Sequence, residues 1–265
     1  CGCSEQSRFV YYSMGRVDCK ERWAGRLPLR RAQPEEKGEI MYQCCIFDLD
    51  GTLVNSVYAI QKAVNGTLEH FGLGTVSAEE TRLFAGDGYK KLVERAMAAR
   101  GNRDEGRLKE ALALYPEVFK DCCLYRVEPY DGIRELLAFL RENHIFCAVL
   151  SNKPHDRTLD NIRAVFGMES FDQVYGERED LGIRRKPAPD GVEAIRGELG
   201  VKKEISLYSG DTNTDMEPGK NAGVDTVGVT WGFRSREELA AFHPTLLADH
   251  PDQVIAFLKE VNGIE

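Results

Sequence analysis

The sequence predicts an α/β protein with a doubly wound, parallel-sheet (Rossmann-like) core and an inserted helical-bundle cap domain. Two observations carry this prediction. From residue 130 onward, short apolar runs alternate with helical patterns, as in a parallel sheet that has helices on both faces. Residues 56–128 contain only helical patterns, and they follow directly after the first apolar run. We therefore expect residues 41–55 and 129–265 to form the core, and residues 56–128 to form the cap.

The first predicted strand covers residues 42–48 and is followed by a pair of aspartates. Its continuous apolar run, Cys44–Phe47, is typical of a strand that is buried on both faces. Asp48 and Asp50 come next, and Gly51 releases the chain from the sheet. Because ligands bind beyond the carboxyl ends of strands in such sheets, both carboxylates are candidate site residues. The alternative is a strand that ends in a polar turn, with aspartate as a cap.

Four helices are predicted in the inserted segment. Apolar residues between Ala59 and Leu68 recur at helical spacing, and Ser77–Glu80 fits a capping box that opens a second helix. Two further helices are predicted at Tyr89–Arg100 and Glu105–Asp121. Such a bundle would lie beside the first strand end, where it could close over a site and exclude water.

Strands and helices alternate through the rest of the chain. A helix that follows Asp131-Gly132 leads into the second strand of the core, and a helix is predicted in each later interval and at the C terminus. The later strands are predicted at residues 144–150, 172–175, 205–209, 226–229 and 246–247.

Composition excludes some classes of function. The net charge of −8 argues against a nucleic-acid-binding surface. No apolar run approaches the ~20 residues of a membrane span, and no secretory signal is visible. Three of the eight cysteines (Cys44, Cys45 and Cys147) fall in apolar strand patterns rather than in a disulfide or zinc pattern, so we expect a cytoplasmic protein. Residues 1–40 show no clean period and are expected to be a loosely ordered extension.

A second carboxylate pair follows the strand at residues 205–209. Asp211 and Asp215 would converge with the first pair if both strands were central in one sheet. Four crowded carboxylates need a hard cation, and oxygen ligands suit Mg²⁺. Ser151, Asn152 and Lys186 could add a hydroxyl, backbone amides and a fixed positive charge, which together make a pocket suited to phosphoryl transfer. Lys186 could instead be a solvated loop lysine, and Ser151 a helix cap.

Four sequence motifs together resemble those of the haloacid dehalogenase-like phosphatases. They occur in the expected order at predicted strand ends, and the resemblance covers nearly everything after residue 40. The motifs are Asp48-Leu49-Asp50-Gly51-Thr52-Leu53, Ser151-Asn152, Lys186-Pro187, and Gly210-Asp211-Thr212-Asn213-Thr214-Asp215. Within the family, Gly86-Asp87-Gly88 and the segment Val229–Arg234 resemble phosphoglycolate phosphatases and their pyrophosphatase relatives.

The resemblance implies a mechanism with two aspartates. Asp48 would attack phosphorus and form an aspartyl-phosphate, while Asp50 would protonate the leaving alkoxide and later deprotonate water. Mg²⁺ would be held by Asp48, by the backbone carbonyl of Asp50 and by Asp211. Asp215 would be a ligand through water, a partner of Lys186, or a charge at the start of the following helix.

The resemblance also implies the remaining roles. Ser151, the Asn152 amide and Lys186 would hold the phosphoryl oxygens, and Thr52 would brace the loop.

The substrate is expected to be a small phosphate ester. Gly86, Asp87 and Gly88 precede a helix whose backbone N–H groups could bind a substrate carboxylate, as in phosphoglycolate, with Arg82, Lys90 or Lys91 assisting. Asp87 could instead occupy these N–H groups, and the glycines could be plain helix punctuation.

Several other functions remain open. An inorganic pyrophosphatase or a sugar phosphomutase of the same family would share the motifs, whereas a dehalogenase would lack Asp50. From another class, the chain could be a non-catalytic phosphate or metal sensor. It is expected to be a monomer or a homodimer.

Overall fold

The computed structural model describes residues 41–265; the predicted extension, residues 1–40, lies outside the described residues. The strands are β1 (Cys44–Phe47), β2 (Val54–Asn55), β3 (Glu128–Pro129), β4 (Phe146–Pro154), β5 (Gln173–Glu177), β6 (Ser206–Gly210), β7 (Asp225–Val229) and β8 (Leu246–Ala248). The helices are α1 (Val57–His70), α2 (Ala78–Phe84), α3 (Tyr89–Ala99), α4 (Glu105–Cys122), α5 (Ile133–Glu142), α6 (His155–Val165), α7 (Asp190–Leu199), α8 (Asn213–Ala222), α9 (Arg236–Ala240) and α10 (Pro251–Asn262).

Six parallel strands form the main sheet, in the order β5-β4-β1-β6-β7-β8. This is the doubly wound strand order, so the predicted α/β fold class is confirmed. The chain reverses its direction of winding between β1 and β6, and a crevice opens at such a switch point. The ends of β1 and β6 are therefore the place in the fold where a ligand site is expected.

Strand β1 is apolar throughout because both of its faces are covered. Cys45 and Phe47 pack into the apolar cluster on one face of the sheet, while Cys44 and Ile46 pack into the cluster on the other face. All four side chains are buried. The thiols are inert in this setting, since burial raises the pKa of both cysteines above the usual range.

The inserted helices α1–α4 pack around an apolar cluster of their own. Leu68, Met97, Ala111 and Phe119 belong to this cluster, which is distinct from the two clusters that flank the sheet. The division into a core and an inserted domain at residues 56–128 stays a prediction. Among residues 41–265, no helix combines the length and the apolar character that crossing a bilayer requires.

The chain leaves and rejoins the core through two short strands that lie side by side. Strand β2 pairs antiparallel with β3, so that Val54 faces Pro129 and Asn55 faces Glu128. The chain thus enters and leaves the helical segment at neighbouring positions. Neither strand was expected, because a two-residue strand carries no readable alternation.

Strand β4 differs from the predicted strand at residues 144–150. It begins at Phe146, because His144 adopts a left-handed conformation (φ 57°), and it continues to Pro154. Residues 151–153 are polar, but they are buried, and the pairing with β5 resumes at Pro154 after an irregularity. Ser151 and Asn152 therefore lie within the strand rather than after it.

Candidate active site

Three carboxylates meet at the switch point: two follow the ends of β1 and β6, and the third lies in the first turn of α8. The two strands are hydrogen-bonded neighbours, with Phe47 opposite Ser209, so Asp48 and Asp211 emerge side by side. One carboxylate oxygen from each of Asp48, Asp211 and Asp215 lies within 4.8 Å of the others. All three residues are buried. The sequence-predicted convergence of two distant aspartate pairs is thus present in the geometry for these three residues.

Lys186 brings a buried positive charge to this cluster. Its Nζ atom donates to Asp48 Oδ1 at 2.6 Å and to Asp215 Oδ1 at 2.6 Å. Burial alone would lower the pKa of Lys186, but the two carboxylates raise it well above the usual value, so the amine stays charged. Burial also raises the pKa of Asp48 to about 7, although Lys186 opposes this shift. One ammonium group therefore compensates only part of the negative charge.

Asp215 is committed to its protein partners. Its Oδ1 atom accepts from Lys186 and from the Tyr208 hydroxyl at 3.1 Å. Its Oδ2 atom accepts from the Thr212 backbone N–H at 3.0 Å and from the Thr212 hydroxyl at 2.7 Å. Each oxygen thus accepts two hydrogen bonds, which nearly exhausts a carboxylate. Of the roles left open by the sequence, this geometry favours a partner of Lys186 over a ligand.

Asp211 has one donor on each oxygen and keeps acceptor capacity. Thr52 Oγ1 donates to Oδ1 at 2.9 Å, and the Phe233 backbone N–H donates to Oδ2 at 2.8 Å. Burial, followed by the charges of Asp215 and Asp48, still holds the pKa of Asp211 well above its usual range. A buried carboxylate that the protein leaves short of positive charge suits a bound cation.

Two glycines allow the backbone to approach Asp211 closely. A methyl group on Gly232 would lie 2.4 Å from Asp211 Oδ2 and 2.4 Å from the Gly51 carbonyl oxygen. Gly51 also has a positive φ of 97° and would clash with the same carboxylate. Both positions therefore need glycine for the site to form.

Asp50 points to a second lysine, which sequence reasoning missed. Lys153 Nζ donates to Asp50 Oδ1 at 2.9 Å and to Asn161 Oδ1 at 3.0 Å, and its side chain is only 4% exposed. Lys153 directly follows the predicted phosphate-binding pair Ser151-Asn152, which is the signal that could have marked it. The ion pair fixes the Asp50 carboxylate beside the cavity.

Ser151 and Asn152 both border the cavity but differ in what they contact. The Ser151 hydroxyl is buried and accepts from the Lys153 backbone N–H at 3.2 Å. The Asn152 side chain bonds the backbone of Lys186 in both directions, accepting from its N–H at 2.9 Å and donating to its carbonyl at 3.1 Å. Asn152 thus uses its side chain to position Lys186, and only its backbone is left to face a phosphate.

Only part of the predicted carboxylate-binding turn, Gly86-Asp87-Gly88, borders the cavity. Gly86 and Gly88 border the cavity, and the Gly86 carbonyl accepts from Thr214 Oγ1 at 3.0 Å. Asp87 forms an ion pair with Arg95 at 2.6 Å and does not cap α3, whose N-cap residue is Gly88. The three basic residues expected to assist, Arg82, Lys90 and Lys91, are not among the described residues that border the cavity.

A cavity of about 390 Å³ lies between these strand ends and the helical segment. Asp48, Asp50, Ser151 and Lys186 border it on the core side. Buried rings and aliphatic side chains of α1, α3 and α4 border it on the other side. The volume falls in the range of about 300–1,000 Å³ that is typical of small-molecule sites.

Comparison with known proteins identifies a family and several relatives. Residues 45–229 match the family described as haloacid dehalogenase-like hydrolase. Phosphoglycolate phosphatase 1 of Pseudomonas aeruginosa is 31% identical over 208 residues, which cover 77% of this chain and 75% of that protein. Pyrophosphatase PpaX of Listeria monocytogenes is 30% identical over 216 residues, covering 81% and 95%. The crystal structure of a protein described as a putative phosphoglycolate phosphatase, from Lactobacillus delbrueckii subsp. bulgaricus, superposes with a TM-score of 0.77 at 28% identity. The match covers 83% of this chain and 98% of that one.

Proposed function

The chain belongs to the haloacid dehalogenase-like hydrolase family, and from this premise we propose that it is a Mg²⁺-dependent phosphomonoesterase that acts through an aspartyl-phosphate. It is a phosphatase of the phosphoglycolate phosphatase-like group. The observation that carries the proposal is the buried contact between Lys186 and Asp48 at the wall of the cavity. This contact places a nucleophilic carboxylate beside a permanent positive charge, which phosphoryl transfer needs.

In the first half-reaction, a carboxylate oxygen of Asp48 attacks phosphorus. The new oxygen–phosphorus bond forms as the ester bond breaks, and the leaving alkoxide takes a proton from Asp50. Lys186 and the Ser151 hydroxyl stabilise the negative charge on the phosphoryl oxygens. Asn152 acts through Lys186, because it fixes the lysine backbone on both sides.

In the second half-reaction, water attacks the phosphorylated Asp48. Asp50 now accepts the proton from this water, the bond between Asp48 and phosphorus breaks, and inorganic phosphate leaves. Lys153 acts as a positioning residue in both steps, since its ammonium group fixes the Asp50 carboxylate at the cavity.

The residues at the switch point fit Mg²⁺. The carboxylates of Asp48 and Asp211 and the backbone carbonyl of Asp50 would hold the ion, and Thr52 would orient Asp211. The surroundings of Asp211 support this assignment, because the carboxylate is buried beside two others, and burial followed by the charges of Asp215 and Asp48 raises its pKa. When bound, Mg²⁺ supplies the positive charge that lets an anionic phosphate approach a cluster of carboxylates.

The names of the relatives suggest which substrates to test first. Phosphoglycolate phosphatases and pyrophosphatases are both among the relatives, so 2-phosphoglycolate and pyrophosphate are the reference substrates. A sugar phosphomutase remains a further alternative within the family. We also propose a cytoplasmic location, a monomeric or homodimeric state, and no nucleic-acid partner, in line with the net charge of −8.

The test is phosphate release from a panel of monoesters, with Mg²⁺ and with the metal removed by chelation. We expect release only with Mg²⁺, and we expect Asp48→Asn to abolish it while Mg²⁺-dependent binding of the ester is retained. Asp121→Asn is the matched control, because Asp121 is exposed and is not among the described residues at the cavity. Full hydrolysis by Asp48→Asn would rule out the nucleophile, and Mg²⁺-dependent binding without hydrolysis by the unaltered chain would indicate a sensor.

A further inference from the structure

The wall of the cavity contains three stacked aromatic rings, which we call the aromatic column. The rings of Tyr89 and Tyr115 lie 5.5 Å apart at an angle of 6°, and those of Tyr115 and Phe119 lie 5.6 Å apart at 11°. All three residues border the cavity, and Tyr115 and Phe119 are each only 4% exposed. Offset, nearly parallel rings at this spacing are a favourable arrangement for further aromatic contacts.

The aromatic column begins beside the acid that would protonate the leaving group. Lys153 Nζ lies 5.3 Å from the centre of the Phe119 ring and 2.9 Å from Asp50 Oδ1. Asp50 and the Phe119 ring thus contact the same ammonium group, and both residues border the cavity. The group attached to the oxygen that Asp50 protonates must extend along the column or away from it.

The buried basic groups of the cavity are already paired with carboxylates. Lys186 binds Asp48 and Asp215, and Lys153 binds Asp50. A third basic residue at the cavity, Lys120, is exposed.

The fourth basic residue at the cavity, Arg157, is also paired with carboxylates, since its guanidinium binds Asp156 at 3.0 Å and Asp160 at 2.9 Å. Burial holds the pKa of the Tyr115 hydroxyl well above its usual value, so the column itself stays neutral. Within residues 41–265, the inner part of the cavity thus provides apolar contact but no uncommitted buried cation for a leaving-group carboxylate.

We propose that the preferred substrate is a phosphate monoester whose leaving alcohol carries a planar aromatic ring, which packs against the aromatic column. This inference rests on the proposed function and narrows its substrate class. A leaving group such as glycolate would bury a carboxylate without a free cation, which is costly. An arylalkyl group would instead cover the rings with apolar surface.

The test compares esters of primary alcohols, so that the bond that breaks is similar in each. Benzyl phosphate, cyclohexylmethyl phosphate, ethyl phosphate and 2-phosphoglycolate are assayed for phosphate release with Mg²⁺. We expect kcat/KM to be at least tenfold higher for benzyl phosphate than for ethyl phosphate or 2-phosphoglycolate. We expect it to be at least twofold higher for benzyl phosphate than for cyclohexylmethyl phosphate. Tenfold corresponds to about 1.4 kcal/mol of transition-state stabilisation.

Two variants test the column itself. Tyr89→Leu and Phe119→Leu keep an apolar side chain but remove a ring, and each should lower the benzyl-to-ethyl ratio of kcat/KM at least threefold. The ratio cancels any loss common to both substrates. Because Phe119 is buried and its replacement could disturb folding, the half-buried Tyr89 gives the independent measurement. Tyr125→Leu is the control, since Tyr125 is 44% exposed and is not among the described residues at the cavity; its ratio should not change.

The outcomes separate the two levels of the proposal. Equal or greater kcat/KM for ethyl phosphate or 2-phosphoglycolate would overturn the aromatic leaving group and leave the phosphatase intact. Equal rates for the benzyl and cyclohexylmethyl esters, or unchanged ratios in both variants, would overturn the role of the rings. No phosphate release from any ester would overturn the proposed function itself.

Discussion

Replacement of Lys186 by methionine should destabilise the metal-free protein strongly. The lysine makes two contacts of 2.6 Å, to Asp48 and to Asp215, and its side chain is only 4% exposed. Lys186→Met keeps most of the side-chain volume but removes the ammonium group. Three carboxylates would then stay within 4.8 Å of one another without this compensating charge.

The expected loss follows from the burial of the pair. Removing one partner of a buried ion pair costs about 3–5 kcal/mol, because the other charge is left uncompensated. For a domain of this size, each kcal/mol lowers the melting temperature by about 2–4 °C, so we expect a decrease of roughly 6–20 °C.

Thermal unfolding followed by circular dichroism, with chelator and with Mg²⁺, measures this loss. A divalent ion should replace part of the missing charge, so Mg²⁺ should raise the melting temperature more for Lys186→Met than for the unaltered chain. Phosphate release should be lost in both conditions, since the phosphoryl oxygens lose their fixed positive partner.

The control is Lys109→Met, which makes the same change at an exposed lysine of α4. Its melting temperature should change by no more than about 2 °C, as for most surface substitutions. If Lys186→Met in the chelated protein melted within the same margin, the lysine would not be compensating the carboxylates, and our electrostatic reading of the site would be wrong.

Three other substitutions test the supports of the site. Gly232→Ala should abolish phosphate release, because the added methyl group would lie 2.4 Å from Asp211 Oδ2. Thr52→Val removes the donor to Asp211 Oδ1 and should raise the Mg²⁺ concentration for half-maximal activity by about 10–100-fold, as is usual when the partner of a ligand is lost. Arg234→Gln should raise KM roughly tenfold. Arg234 donates at 2.7 Å to two carbonyls near the end of α2, including that of Ala85, which borders the cavity. Hydrogen bonds from charged donors are worth about 1.5–3 kcal/mol each, so their loss should loosen this wall of the cavity.

Each of these changes has a matched control. Gly197→Ala lies in α7, where an added methyl group has no neighbour within 4 Å, and it should leave activity unchanged. Thr75→Val and Arg236→Gln repeat the other two substitutions at residues outside the cavity. Activity in Gly232→Ala, an unchanged Mg²⁺ requirement in Thr52→Val, or an unchanged KM in Arg234→Gln would each remove the corresponding support from our description.

The sequence was sufficient to predict the order of the core elements, because burial on both faces leaves a strong signal. The run Cys44–Phe47 is apolar because each face of β1 packs into a different cluster, and such a run needs no tertiary information to be read. The polar end of β4 was not predicted as part of the strand. Residues 151–153 look like a loop, and only their burial and the pairing of Pro154 show that the strand continues.

The site was predictable where its residues directly follow strands of the sheet, and less so where partners are set by the packing of side chains. Asp48 and Asp211 could be placed together because both follow strands of one parallel sheet. The pair of Lys153 with Asp50 spans 103 positions, so the sequence marks Lys153 only through its place directly after Ser151-Asn152 and does not reveal its partner. The lining of the cavity by α3 and α4 likewise depends on how the helical segment packs, which periodicity alone does not determine.

The adjacent strands β2 and β3 have a consequence for the modular construction of the protein. Since Asn55 and Glu128 are paired neighbours, a hairpin turn of about two to five residues could join them directly. Everything between these two positions could then be excised, or exchanged for the equivalent part of a relative, while the sheet and its carboxylates keep their connectivity. If the helical segment selects the leaving group as we propose, an exchange at these paired strands would alter that selectivity while the carboxylates of the sheet stay in place.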